Sequence, residues 1–346
     1  MVAATKPLLT DLLRDVSRSF YTTMRVLPSA IRDQISLAYL LARTTDTIAD
    51  TEIVPVEERL DALSQLRGRI LHQSSMPLDF QRLIKSNFKS ESGMAKDGPR
   101  SAQTAERVLL SRVNDALALL DTFSNADQQL IRDVLTTITS GQELDLKRFA
   151  NASQESIIAL ETDAELDDYT FRVAGCVGEF WTRICRAHLF PESRHDLAAL
   201  IAKGIRFGKG LQMVNILRDV PADLRTGRCY LPETRLVQLG LKPKDLLDPN
   251  VERELRPLYN DYVRLAHEHL AAGWTYTNQL PFRLARVRLA CAWPILIGMA
   301  TLKKLQEGSV LDPAHRIKIS RAELRSIMTR SILLYPAPML WRRLFV

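Results

Sequence analysis

Gln212, Asn215, Asp219 and Asp223 stand three, four and four residues apart in the stretch GKGLQMVNILRDVPADLRTGRCYLP, Gly208–Pro232. On a helix all four fall on one stripe. An amide and two carboxylates facing one way make a poor core. They also make a poor surface, because like charges four apart repel by roughly 0.2–0.5 kcal/mol. A divalent cation bridging them reverses that sign. Mg²⁺ takes one or two carboxylates, keeps waters and fills its shell with phosphate oxygens. Arg218, Arg225 and Arg228 lie in the same stretch, and guanidinium is the fork that grips phosphate. The stretch reads as a Mg²⁺–diphosphate site on a helix.

A second stripe has the same chemistry. A helix following Pro28 and running to about Thr51 has Ile31, Ile35, Ala38 and Ala42 on its core face. Tyr39, Arg43, Asp46 and Asp50 follow at i, i+4, i+7 and i+11. A lone DxxxD is usually a solvated face; two such stripes, each with an arginine beside it, point to metal. On facing helices they would hold a small Mg²⁺ cluster that neutralises a substrate diphosphate as it departs. Departure from a prenyl diphosphate leaves an allylic carbocation. The space behind it must then be apolar and dry, which a helical bundle with small residues on its inner faces provides.

The elements that must position these stripes read as helices. The chain has 346 residues, 46% of them hydrophobic, with only 14 Gly and 16 Pro, sparse punctuation that favours long helices. The net charge of +7 fits a phosphorylated substrate or an anionic membrane surface. Nucleic acid is the weakest reading, since there is no run of five basic residues and no zinc-finger or RNA-binding signature. Cys176, Cys185, Cys229 and Cys291 are far apart, which predicts buried thiols in a reducing compartment. The N-terminus lacks the apolar core of a signal peptide. Leu289–Leu302 is too short to span a bilayer, which takes ~20 residues, and reads as a core helix. A cytoplasmic, monomeric protein with at most peripheral membrane association is expected.

Leu8, Leu9, Leu12, Leu13 and Val16 repeat at helical spacing, and Ser17–Pro28 reads as a connection or a polar lid with Arg18 and Arg25. Glu57–Leu71 is an amphipathic helix; 89–103 is a polar, mobile loop. Helical periodicity returns over Val108–Leu119 and from Leu130 into GQELDLKRF, Gly141–Phe149. There Glu143 and Asp145 are either a solvated helix end or acids near the cavity. Ala174, Gly175 and Gly178 give a helix face almost without side chains. Gly in a helix costs ~1 kcal/mol against Ala, so a neighbouring helix or a bulky substrate tail must lie close. Tyr169 on the same helix projects a phenol towards the cavity. Later helices start at Pro232 and span Val251–Trp274 and Arg283–Gln306. His267 and His269 diverge and read as surface histidines, not a zinc pair. His315–Arg321, HRIKISR, alternates like a strand, and Ser320 with Glu323 makes a capping box for a last helix. The basic, apolar tail at 331–346 packs on the body or docks on a membrane surface. No sheet is expected.

Four segments together carry a resemblance: SRSF (Ser17–Phe20), YLLARTTDTIAD (Tyr39–Asp50), YTFRVAGCVG (Tyr169–Gly178) and LQMVNILRDVPADLRTGRCYLP (Leu211–Pro232). Over nearly its whole length the chain resembles the squalene/phytoene synthase family. The resemblance implies an all-α, single-domain isoprenoid-synthase bundle over 1–346, with the two aspartate motifs on opposite walls of a central cavity. It implies head-to-head condensation of two prenyl diphosphates through a cyclopropyl intermediate. DTIAD, and LACAWPILIGMATL followed by RIKISR, resemble the squalene branch. That branch takes two farnesyl diphosphates to presqualene diphosphate and then to squalene with NADPH, on the way to sterols or hopanoids. Position by position, Asp46, Asp50, Asp219 and Asp223 would bind Mg²⁺ (or Mn²⁺) and diphosphate. Arg43, Arg218 and Arg228 would contact diphosphate beside Tyr39 and Gln212. Tyr169 would be the acid/base group. Ser17, Arg18, Asn215, Lys318 and Arg321 would contact diphosphate or NADPH.

Two rivals follow. NILRDVPADLRTGRCYLP and GQELDL lie nearer the phytoene wording, so a phytoene or dehydrosqualene synthase, which needs no NADPH, is the first. A non-catalytic helical assembly factor of the same fold is the second. Intact aspartate stripes and arginines argue against it, since a scaffold has no need of them.

Overall fold

The structure is a computed structural model and describes residues 8–17, 19–51, 54–87, 102–314 and 316–345. Arg18 and most of the loop expected at 89–103 lie outside them. The fold is an all-α bundle apart from one two-residue bridge, and it divides into two compact units, one ending at Lys147 and one beginning at Arg148.

In the first unit, a π turn (Leu8–Leu12) leads into α1 (Leu13–Ser17), then α2 (Ser19–Val26) and α3 (Ser29–Ala49). α4 (Val56–Ile70), α5 (Gln81–Asn87), α6 (Ala102–Ser111), α7 (Val113–Leu120) and α8 (Asn125–Arg148) follow. The periodicity over Val108–Leu119 reads as one helix, but the chain breaks it at Arg112, between α6 and α7. α3 starts directly after Pro28, whose fixed φ suits a helix entry. Its Ile31, Ile35 and Ala38 are buried as the spacing predicts. Four threonines around Asp46 are poor helix formers with buried hydroxyls. Each is satisfied on the preceding turn: Thr44 on Leu40 O at 2.8 Å, Thr45 on Ala42 O at 2.7 Å, Thr47 on Arg43 O at 2.9 Å and Thr51 on Thr47 O at 2.7 Å. Asp50 ends the helix, its amide donating to Asp46 O at 2.8 Å.

In the second unit, β1 (Ile158–Ala159) pairs in parallel with β2 (Arg228–Cys229). This small bridge leaves the all-α class as expected; two residues per strand are too few to show a period of two in the sequence. α9 (Asp163–Thr170) runs through a π turn (Phe171–Gly175) straight into α10 (Cys176–Leu189). α11 (Leu197–Arg225) carries the second stripe. α12 (Glu233–Val237), α13 (Glu252–Gln279), α14 (Ala285–Glu307), α15 (Arg321–Leu334) and α16 (Pro338–Arg342) complete it. α11 packs along α13 and against α10 and α14.

α11 contains Pro221, which has no N–H to offer the carbonyl of Leu217 one turn earlier. That carbonyl is not left orphaned in the core: the Tyr259 hydroxyl on α13 donates to it at 2.9 Å. α14 is long and apolar enough to cross a membrane by length and composition, with mean hydropathy 1.3, but 61% of that window is buried in the protein. It is a core helix, as expected. All four cysteines are free and buried, and burial pushes Cys176, Cys229 and Cys291 up to about 12.

The tail packs on this unit. Trp341 stacks on Trp274 at 5.2 Å, and its indole N–H donates to Asn278 Oδ1 at 2.9 Å. The Arg288 guanidinium lies over the rings of Phe282, Tyr335 and Trp341 at 5.3–5.6 Å. The expected surface histidines divide. His267 is exposed, whereas His269 is half-buried and accepts from Arg206 Nε at 3.3 Å. Burial, with the charges of Arg206 and Lys209 beside it, pulls His269 down to about 4.

Candidate active site

On α3 the stripe forms as the spacing requires. Arg43 Nη1 lies 3.9 Å from Asp46 Oδ2, while its Nη2 pairs with Glu106 on α6 at 2.6 Å. Gln142 on α8 donates to Asp46 Oδ1. Burial, with the Asp50 charge one turn away adding to it, pushes the Asp46 carboxyl up to about 6; Arg43 and Gln142 pull the other way. Yet 46% of the Asp46 side chain remains open to solvent. It sits in a recess, surrounded by protein but reachable. Burial also pushes the Tyr39 phenol up, against the pull of Arg43 and with the Asp46 charge adding. Glu143 is half-buried and paired with Arg67 at 3.0 Å, so it is not a solvated helix end. The Ser17 hydroxyl is buried and donates to Leu13 O on its own helix.

On α11, Gln212 and Asn215 meet side chain to side chain at 3.4 Å. Arg218 grips Asp219 through both Nε, at 3.0 Å, and Nη2. Arg316 reaches Asp219 Oδ1 at 2.9 Å from the basic segment. Burial alone would raise Asp219; the hydrogen bonds and charges of these two guanidiniums hold it below the usual carboxylate range. Asp223 is half-buried one turn further on, and Arg225 is exposed. Arg228, on β2, lies over the Phe149 ring at 5.9 Å. Lys318 and Arg321 are exposed, while Ile317 and Ile319 on either side of Lys318 are half-buried, so the strand-like alternation holds although the segment forms no strand. The Ser320–Glu323 capping box forms as expected.

Tyr169 is 9% exposed, with its ring stacked on Tyr230 at 4.7 Å. The small face beside it is filled by protein. A Cβ on Gly178 would fall 1.9 Å from Gly204 O, and one on Gly208 would fall 2.1 Å from Ala174 O. α10 and α11 therefore touch backbone to backbone, and the glycines serve that seam rather than room for a substrate tail.

Among the described residues no three His, Cys, Asp or Glu side chains converge as a ready metal cage. Each stripe instead offers two carboxylates one turn apart. That is a fit to Mg²⁺, which needs one or two and takes the rest from water and phosphate. Burial and the neighbouring Asp50 charge raise Asp46 against the pull of Arg43, so a further cation at this pair would be favoured. A cleft of about 360 Å³ in the second unit takes only Met213 from α11. Arg235 there pairs with Asp163 at 3.0 Å and Asp261 at 3.6 Å. It holds none of the residues expected from sequence.

Comparison with known proteins decides the family. The squalene/phytoene synthase pattern matches residues 13–323. The chain belongs to the squalene/phytoene synthase family. A presqualene diphosphate synthase of Sinorhizobium fredii is 27% identical over 91% of this chain and 93% of its own length. A bifunctional lycopene cyclase/phytoene synthase of Blakeslea trispora is 29% identical over 66% of this chain. The chain matches only 34% of that longer protein. Among solved structures, TcSQS with a bound ligand superposes with a TM-score of 0.75 at 23% identity, covering 97% of this chain and 89% of the other. A dehydrosqualene synthase gives 0.65 at 18% identity, covering 96% and 98%. These likenesses show the fold.

Within this prenyltransferase family, whose chemistry is head-to-head condensation of isoprenyl diphosphates, three further residues stand at the stripes. Glu106 competes for Arg43, Gln142 orients Asp46, and Arg316 shares Asp219. Arg316 had a sequence signal, the same alternation that singles out Lys318. Glu106 and Gln142 had none, because their partners lie 63 and 96 residues away.

Proposed function

We propose that this chain joins two farnesyl diphosphates into presqualene diphosphate and then reduces that product to squalene with NADPH. In the first half, one diphosphate leaves, the allylic cation is captured by the second molecule's double bond, and a proton is lost as the cyclopropane closes. In the second, the remaining diphosphate leaves, the skeleton rearranges, and hydride from NADPH ends the cation.

Asp46, Asp50, Asp219 and Asp223 would hold Mg²⁺, which when bound neutralises the departing diphosphate. Arg43, Arg218 and Arg228, with Gln212 and Asn215, would hold its oxygens, Tyr39 standing beside Arg43. Tyr169 Oη is the group for proton transfer, its ring kept in place by the stack on Tyr230. Lys318 and Arg321, with Asn215, would meet the nicotinamide cofactor's phosphates. The observation that carries the reductive half is the Arg316–Asp219 hydrogen bond, because it ties the basic segment to the aspartate stripe.

A second reading stops at presqualene diphosphate. It is favoured by the match to the Sinorhizobium protein of that name over nearly the full length of both chains. Incubation with farnesyl diphosphate and Mg²⁺, with and without NADPH, separates them. Squalene formed only with NADPH is the expected result. Presqualene diphosphate under both conditions supports the second reading. A parallel arm with geranylgeranyl diphosphate reports on the phytoene branch.

A further inference from the structure

Among the described residues, large apolar side chains open to solvent mostly stand alone, as at Met76, Val177 and Val237. One place differs. Ile332 and Leu333 at the end of α15, and Met339 and Leu340 at the start of α16, are all exposed within 332–340. Leu333 is 71% and Met339 77% exposed. Phe282 joins them, 52% exposed, through its stack on Tyr335 at 4.9 Å.

This is not a loose end of chain. Ser331 is buried and accepts from Trp293 Nε1 at 2.9 Å; Tyr335 donates to Phe282 O; Trp341 is fully buried between Trp274 and Tyr335. Those three inward anchors fix the segment, so the residues between them are held outward. Holding such side chains in water forgoes the gain of burying them, which marks the patch as a surface awaiting a partner.

The charge around it says which partner. From Leu324 to Val346 there is no Asp or Glu, while Arg325, Arg330, Arg342 and Arg343 are all exposed. Arg283 and Arg286 are exposed beside Phe282. Apolar side chains that insert, on a segment whose only charges are cationic, match an anionic lipid surface: the apolar residues enter the acyl boundary and the arginines meet headgroup phosphates. A protein partner of ordinary mixed charge has no need of a segment with one sign of charge.

We propose that the 332–340 segment, with Phe282, docks this protein on an anionic membrane surface as a peripheral contact. It does not depend on which product the enzyme makes. The test is co-sedimentation of the full chain with vesicles of phosphatidylcholine alone or with about one third phosphatidylglycerol. The wild type should bind the mixed vesicles and release as salt rises. The double variant Leu333→Ser, Met339→Ser should bind at least about tenfold more weakly at an unchanged melting temperature, since it removes inserting surface and no charge. Three results overturn the proposal. One is no binding by the wild type. Another is equal binding by the double variant, which makes net charge alone the cause. The last is a concentration-dependent dimer in lipid-free sedimentation velocity that the double variant abolishes, which makes a second copy the occupant.

Discussion

The Tyr259 hydroxyl donates to the Leu217 carbonyl, and Pro221 is the reason it must. A proline inside a helix leaves the carbonyl four residues back without its amide. Leu217 and Tyr259 are both fully buried, so water cannot serve instead. The bond spans α11 where it carries the second aspartate pair.

Tyr259→Phe should therefore cost about 1–3 kcal/mol, the usual penalty of a stranded buried polar group. In a Pro221→Ala background the helix regains an amide for Leu217, and the same substitution should be close to neutral. Urea denaturation of the four proteins in the cycle measures this. Equal losses in both backgrounds would mean the phenol serves packing alone.

Asp46→Asn and Asp219→Asn should each abolish turnover of farnesyl diphosphate; the melting temperature should stay nearly unchanged for Asp46→Asn and fall slightly for Asp219→Asn, which loses the charge that Arg218 and Arg316 favour. Removing one charge from each pair relieves a repulsion of roughly 0.2–0.5 kcal/mol, so any stability change for Asp46 should be upward. Normal turnover in both variants would falsify the metal assignment.

Gln142→Leu keeps all four aspartates and removes only the amide that orients Asp46. Groups that orient metal ligands typically matter ~10–100-fold in affinity or activity. The Mg²⁺ concentration for half-maximal activity should rise by that order, with the maximal rate less affected. A Mg²⁺ titration of initial rates at saturating substrate checks it.

His269 predicts an acid sensitivity. Its folded value is about 4 against an ordinary 6.5, so the unfolded chain binds the proton more readily. The stabilising effect is present above 6.5 and is lost as pH falls towards 4. His269→Gln should flatten the denaturation midpoint over that window. An unchanged pH slope would show that Asp167 and Glu268, which pull the ring upward, offset burial together with the charges of Arg206 and Lys209.

Both stripes were legible in the sequence because they are local. Residues three and four apart share a helix face whatever the rest of the chain does. The helices carrying them were legible for the same reason. What surrounds the carboxylates was not: Glu106, Gln142 and Arg316 arrive from distant segments, and no period in the sequence joins them to their partners. The glycine face was visible, but its purpose was not. Sequence spacing shows that side chains are missing, and only Gly204 and Gly208 across the seam show what fills the gap. The break at Arg112 was hidden because the apolar rhythm continues across it.

That seam has a mechanical consequence. Two helices in backbone contact have no side chains between them to yield, so a shift of α11 against α10 at Gly178 and Gly204 must move backbone. The first part of α11 is thereby a firm base for the stripe that begins at Gln212. On α10 and α11 the freedom to close on a ligand belongs to side-chain torsions, and the helix itself acts as the datum against which they move.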